Sequence, residues 1–164
     1  MATLNLGCGV NPIQGAINHD ISLHDSWVDV AHDLEVTPWP WQDESFDKVV
    51  AVDVMEHLRP WKLEMCDWLT ELWRILKPNG LAQLHLPAWD FEYSYRDPTH
   101  FKVFHKESFN YWEPGNHLYE NYGRYYKGIA EYGRWWQVEF ADYDFPERPQ
   151  PYKGDLGFIL RKLA

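Results

Sequence analysis

With 164 residues, 45% of them hydrophobic and 24% charged, the chain has material for one domain with one sizeable core. Aromatics reach 17%, which excludes a disordered composition, and no run of eighteen apolar residues is present to span a bilayer. Fifteen basic residues stand against 25 acidic ones, a net charge of −10 without any Lys/Arg cluster, so a partner held by its phosphates is not expected. Cys8 and Cys66 cannot build a disulfide framework or a four-thiolate metal site, and a secretory leader is not expected, because Thr3–Leu6 follows Met1 without a basic and then apolar run. A cytoplasmic setting is the expectation.

Taken in chain order, Thr3–Leu6 is a short apolar strand stopped by Gly7-Cys8-Gly9. Residues 16–21 and 28–30 are the next strand candidates. Lys48–Val52 is β-branched and apolar on both faces, the pattern of a buried parallel strand. From Pro60 to Leu76 the apolar residues Trp61, Met65, Trp68, Leu69, Leu72, Ile75 and Leu76 follow the 3.6-residue period, which predicts a core-facing helix ended by Lys77-Pro78-Asn79-Gly80. Leu81–Leu86 is a further strand, and 137–145 and 156–163 are predicted as a terminal antiparallel pair. Alternating strands and helices in the first half imply an α/β fold with a mostly parallel sheet. The net negative charge is concentrated in residues 1–88, which hold 13 acids and 5 bases, whereas 19 of the 28 aromatics fall between Trp89 and Phe145. No linker separates the halves. Residues 1–164 are therefore expected to form one domain, with 89–136 as an aromatic-rich insertion or lid.

In an open α/β sheet, ligands bind at the carboxyl ends of the central strands, and glycines there let backbone approach a ligand. Gly7-Cys8-Gly9 has that position, although a plain structural turn would use the same residues. Asp20, at the end of the second strand, stands where an acid accepts both hydroxyls of a ribose. Residues 10–15 are too short and too punctuated for a helix whose N-terminus would hold a pyrophosphate. An adenosine without phosphates suits this loop better than a dinucleotide. A nicotinamide or nucleotide-sugar enzyme would need phosphate recognition where no Lys or Arg lies close.

These residues resemble the class I S-adenosylmethionine-dependent methyltransferases, in particular small members of the methyltransferase type 11-like group. The likeness is carried by Leu4-Asn5-Leu6-Gly7-Cys8-Gly9, by Gly15-Ala16-Ile17-Asn18-His19-Asp20-Ile21, by Asp33-Leu34 and by residues 39–47. It continues through Glu56-His57-Leu58, Leu76–Gly80, Asp97-Pro98-Thr99-His100 and Ser108-Phe109. The resemblance implies a Rossmann-like methyltransferase sheet and S-adenosyl-L-methionine as cofactor. It implies that Gly7, Cys8 and Gly9 pass under the methionine and ribose, that Asp20 binds the ribose hydroxyls and that Ile21 packs on the adenine. Asp33 and the Leu34 amide would meet the adenine edge, Asp53 and Val54 would line the methionine end, and Glu56 and His57 would face the methyl group or the substrate entrance.

The chain departs from the family pattern at three points. Asn5 stands where many members carry an acid, and Asn11 where many carry a third glycine, so Asn11 joins the cofactor-binding candidates. The helix that usually precedes the first strand is absent from this sequence, which leaves one pocket wall to the aromatic zone or a second subunit, as in a homodimer. His100 and His57 are the candidate bases for removing an acceptor proton, with Asp97 orienting His100. A metal site is not expected, because no histidine pair shows the i, i+4 spacing around a glutamate. Cys8 has no activating base nearby in sequence, and its expected role is steric. Trp112, Tyr119, Tyr122, Tyr125, Tyr126, Tyr132, Trp135 and Trp136 read equally as an acceptor-stacking platform or as the core of a lid or interface. The expected activity is methylation of a small polar acceptor, a saccharide or other metabolite, at oxygen or nitrogen. The alternative is a module that binds the cofactor or its demethylated product without methyl transfer.

Overall fold

The computed structural model describes residues 1–125, 135–142 and 155–163. Seven strands form one sheet: β1 (Thr3–Leu6), β2 (Ile17–Asp20), β3 (Val30–Ala31), β4 (Phe46–Val52), β5 (Leu76–Pro87), β6 (Trp136–Asp142) and β7 (Asp155–Lys162). Their order across the sheet is β3-β2-β1-β4-β5-β7-β6. β1 to β5 are mutually parallel where they pair, and β7 runs antiparallel to both β5 and β6. The expected mixed α/β sheet with a terminal antiparallel pair is the one observed.

The predicted helix is shorter than its hydrophobic period. α1 spans Met65–Ile75, and residues 59–63 instead form a turn in which the Lys62 and Leu63 amides both donate to the Arg59 carbonyl. The Asp67 carboxylate accepts from the Glu64 amide at 3.2 Å, which stabilises the start at Met65. Trp61 therefore falls off the buried stripe and is 69% exposed, edge-on to Phe101 with ring centroids 5.0 Å apart. Cys66 is only half-buried, while Trp68, Leu69, Leu72 and Ile75 are buried as expected. Two further short helices, α2 (Tyr93–Arg96) and α3 (His117–Asn121), lie between β5 and β6.

The two sheet faces differ. Register places Leu4, Val49, Ala82 and Leu160 in one row and Leu6, Ala51, Leu84 and Phe158 in another on the same face. All eight are fully buried, and they join α1 in the core cluster. Phe104, Phe109 and Trp112 from the segment after β5 enter the same cluster, with Phe109 edge-on to Phe158 at 4.7 Å. The opposite face carries the row Asn18, Asn5, Val50, Gln83 and Ile159. β4 is thus not apolar and buried on both faces as expected: Val50 is buried, but Val52 is 38% exposed. Among the described residues, α1 is the one helix of more than a single turn in the crossovers linking β1 to β5, and loops make the other connections. The alternation of strand and helix expected for the first half is not met there.

Candidate active site

The sheet reverses its winding between β1 and β4, and the carboxyl ends of those strands open the crevice where ligands of α/β sheets bind. β1 ends at Leu6, and Gly7 turns the chain with φ +59°. A side chain there would be strained, and its Cβ would lie 2.4 Å from Val54 Cγ2. The loops after β1 and β4 therefore touch at a point that only glycine permits.

The bend is held from β2. Cys8 N–H donates to the His19 carbonyl at 2.9 Å, and Gly7 N–H donates to His19 Nδ1 at 3.4 Å. His19 Nε2 stands 2.9 Å from the His32 carbonyl, which assigns the ring proton to Nε2 and leaves Nδ1 as the acceptor. Burial pushes the His19 pKa below its ordinary value, in keeping with a neutral ring. Asp20 Oδ2 accepts from Gly9 N–H at 2.8 Å, and its Oδ1 accepts from Ile21 N–H at 2.7 Å. Trp27 Nε1–H donates to the Gly9 carbonyl at 3.0 Å. The glycine bend and Asp20, eleven or more residues apart, thus meet across one crevice, and exposed Ile21 stands beside them.

The other cofactor candidates are placed less uniformly. Asn5 Nδ2 donates to Asn18 Oδ1 and to the Asn11 carbonyl, so the amide at the position of the usual acid fastens the loop to the polar face of the sheet. Asn11 itself contributes backbone to this anchor, and its side chain is exposed. Asp33 Oδ1 accepts from the Glu35 amide at 2.9 Å and so shapes its own turn, while Leu34 is buried in the core. Asp53 has φ +54° at the end of β4, and Val54 closes against Gly7. Cys8 is buried, and burial raises its thiol pKa, so the expected steric role fits.

The turn at Met55–His57 brings Glu56 and His57 against the loop of 97–101, through a bond from Phe101 N–H to the Glu56 carbonyl. His57 Nδ1 lies 3.2 Å from the Thr99 carbonyl and 3.0 Å from Thr99 Oγ1. Asp97 Oδ1 accepts from both the amide and the hydroxyl of Thr99, which holds its carboxyl below the usual range. His100 packs edge-on to His57, with ring centroids 4.8 Å apart. Burial, then the neighbouring His100, lower the His57 pKa.

One expected role changes here. Asp97 Oδ2 stands 3.9 Å from His100 Nε2, beyond a hydrogen bond, and the group orienting His100 is the Ser94 carbonyl, 3.0 Å from Nδ1. Two other histidines lie apart: His85 lies within β5 beside Gln83, and His105 sits near Glu107, while Glu56, His57 and His100 converge.

The aromatic zone contains both buried and exposed rings. Trp112 and Trp136 are core, and Tyr122 and Tyr125 are exposed; Tyr126 and Tyr132 lie outside the described residues. Sequence reasoning missed Ser94, Thr99 and Trp27, which act as anchors of the site.

Comparison with known proteins agrees with this geometry. Residues 4–84 match the family model described as a methyltransferase domain. No curated protein matches the sequence. Among solved structures, a methyltransferase from Archaeoglobus fulgidus superposes with a TM-score of 0.62 at 19% identity, over 98% of this chain and 86% of that one. One from Methanosarcina mazei gives 0.60 at 14% identity, over 99% and 92%. A TehB-like methyltransferase from Corynebacterium glutamicum gives 0.58 at 19%, over 98% and 79%. At these identities the structures speak to the fold, and the matched domain model speaks to the chemistry. No helix among the described residues is long and apolar enough to cross a membrane. The open space over Gly9, where an added Cβ would meet nothing within 4 Å, and the Asp20 carboxylate beside it suit an unphosphorylated nucleoside. Residues 4–84 carry a methyltransferase domain, and the activity this supports is that of a methyltransferase with S-adenosylmethionine as its cofactor.

Proposed function

We propose that the chain methylates a small polar acceptor at oxygen or nitrogen, with the cofactor across the Gly7–Gly9 bend and the acceptor entering beside His57 and His100. The observation that carries this reading is the 2.8 Å contact between Gly9 N–H and Asp20, at the carboxyl ends of β1 and β2. Asp20 keeps lone pairs for the ribose hydroxyls, Ile21 offers apolar surface to the adenine, and Asp33 with the Leu34 amide flanks its edge. Asp53, Val54 and the turn of Cys8 border the methionine end. Residues 7–16 contain no helix, so a pyrophosphate would lack its usual seat, which supports a nucleoside over a dinucleotide.

When bound, S-adenosylmethionine supplies a methyl group already activated by its sulfonium. The chain's task is then alignment and exclusion of water, which together lower such barriers by several kcal/mol, up to about 7–11 in well-oriented systems. His100 Nε2, with its Nδ1 proton directed to Ser94, takes the acceptor's proton, and His57 supports the same face. Exposed Trp61, Trp89 and Phe101 offer stacking surface of the kind saccharides use. The segment 89–136 is the acceptor-side cover within a single domain.

Calorimetry with S-adenosylmethionine, its demethylated product and a dinucleotide tests the assignment. The first two bind and the dinucleotide does not; Asp20→Ala weakens binding at least tenfold. Equal binding by the Asp20→Ala variant sinks the cofactor placement. Binding without turnover over a panel of alcohols, amines and saccharides favours a cofactor-sensing module, a reading to which the anchoring of Asn5 away from the cofactor lends some weight.

A further inference from the structure

We propose that Glu56, His57 and His100 form a divalent transition-metal site at the acceptor side of the crevice. One ligand atom from each of the three lies within 4.8 Å of the others, and two separate chain segments contribute them. His100 Nε2 is 4.0 Å from Glu56 Oε1. Ligands sharing one cation at about 2.1 Å stand roughly 3.0–3.4 Å apart, so an ion would draw these side chains together by less than about 1 Å each.

The surroundings argue for a binding site over chance proximity. Each imidazole has its Nδ1 at a backbone carbonyl, Ser94 for His100 and Thr99 for His57. A proton on each Nδ1 leaves each Nε2 lone pair for a ligand, which is how outer partners fix the tautomer of metal-binding histidines. Thr99 is pinned in turn by Asp97. The Glu56 side chain is 1% exposed, so a cation bound there would be held largely out of water. Two nitrogens and one carboxylate oxygen favour Zn²⁺, Mn²⁺, Fe²⁺ or Co²⁺ over Mg²⁺ and Ca²⁺.

Three protein ligands leave coordination positions open. This inference rests on the reading of the crevice as the methyl-transfer site, and it narrows the acceptor to one bearing a hydroxyl. The cation would bind that oxygen and lower its pKa, so its proton leaves to solvent and His100 serves as a ligand in place of a base.

The test separates the two claims. Co²⁺ is titrated into chelator-stripped protein without cofactor, followed by visible d–d absorption and calorimetry. Saturable 1:1 binding is expected, weakened at least tenfold in Glu56→Gln, His57→Asn and His100→Asn, and unchanged in His24→Gln, a surface histidine. Circular dichroism and cofactor calorimetry on each variant establish that it is folded. No saturable binding at micromolar Co²⁺, or binding that persists in folded His100→Asn protein, overturns the cation site and leaves the cofactor assignment intact. Failure to bind S-adenosylmethionine overturns the methyl-transfer reading, whatever Co²⁺ does.

Discussion

Gly7 and Gly9 lie on one bend, both at positive φ, yet they carry different loads. A Cβ at Gly7 meets Val54, whereas one at Gly9 meets nothing within 4 Å. Gly9→Ala should cost only the backbone term, about 1 kcal/mol, while Gly7→Ala adds overpacking and should cost about 2–4 kcal/mol. Urea unfolding of the two variants checks the order, and equal losses would remove the contact between loops as the reason for Gly7. His19 gives the same bend a pH dependence. Its folded pKa lies below the ordinary 6.5, so the unfolded chain takes up the proton first. Its contribution is complete above pH 6.5 and is lost as pH falls through the folded value. His19→Gln is expected to flatten the decline in stability below pH 6.5. Glycines and Asp20 were legible in the sequence because their chemistry is tied to residue type. Ser94 was not, since it holds His100 through a carbonyl that every residue possesses, and Thr99 was not, since the hydroxyl and carbonyl it offers His57 act across 42 residues of sequence.

At the scale of elements, α1 shows where periodicity misleads. The apolar spacing runs on to Trp61, but the turn held by the Arg59 carbonyl delays the helix until Met65, so one tryptophan counted as core is solvent-facing. The flank of the same buried stripe holds a polar network that no hydrophobic pattern reveals. Glu71 Oε2 accepts from the buried Trp39 amide at 2.6 Å and from Arg74 at 2.7 Å. Arg74 also donates to the carbonyls of Trp39 and Trp41. This network fastens the loop between β3 and β4 to α1. Removing the carboxylate leaves the Trp39 amide buried without an acceptor and the guanidinium without its main partner. Glu71→Ala is therefore expected to cost about 3 kcal/mol, and Glu71→Gln, which keeps an acceptor, clearly less. Chemical denaturation distinguishes the two; equal losses would show the charge to matter and the amide acceptor not.

Across the whole molecule, the most extensive strand pairing and the proposed nucleoside contacts lie on different sides of the sheet. β4, β5 and β7 pair over six or seven positions each and carry the fully buried rows, whereas β2 pairs with β1 and with β3 at only two positions each. The mostly parallel sheet with its terminal antiparallel pair was legible in the strand patterns and in the residue types of the carboxyl-end loops. So was the missing helix after β1, in the punctuated residues 10–15, whereas the other bare crossovers left no such mark. Asp20 and Gly9 thus sit on the side with the fewest backbone bonds, where local opening is cheapest. A ligand that bridges the ends of β1 and β2 adds contacts where the sheet has few, and its binding free energy should appear there as protection. Hydrogen exchange is expected to be slow in β4, β5 and β7 with or without ligand. In residues 7–21 it should be fast in the free protein and slowed at least tenfold by saturating demethylated cofactor. If protection rose instead in β7 and the 7–21 segment stayed fast, the nucleoside would have to bind elsewhere than at the mouth of β1 and β2.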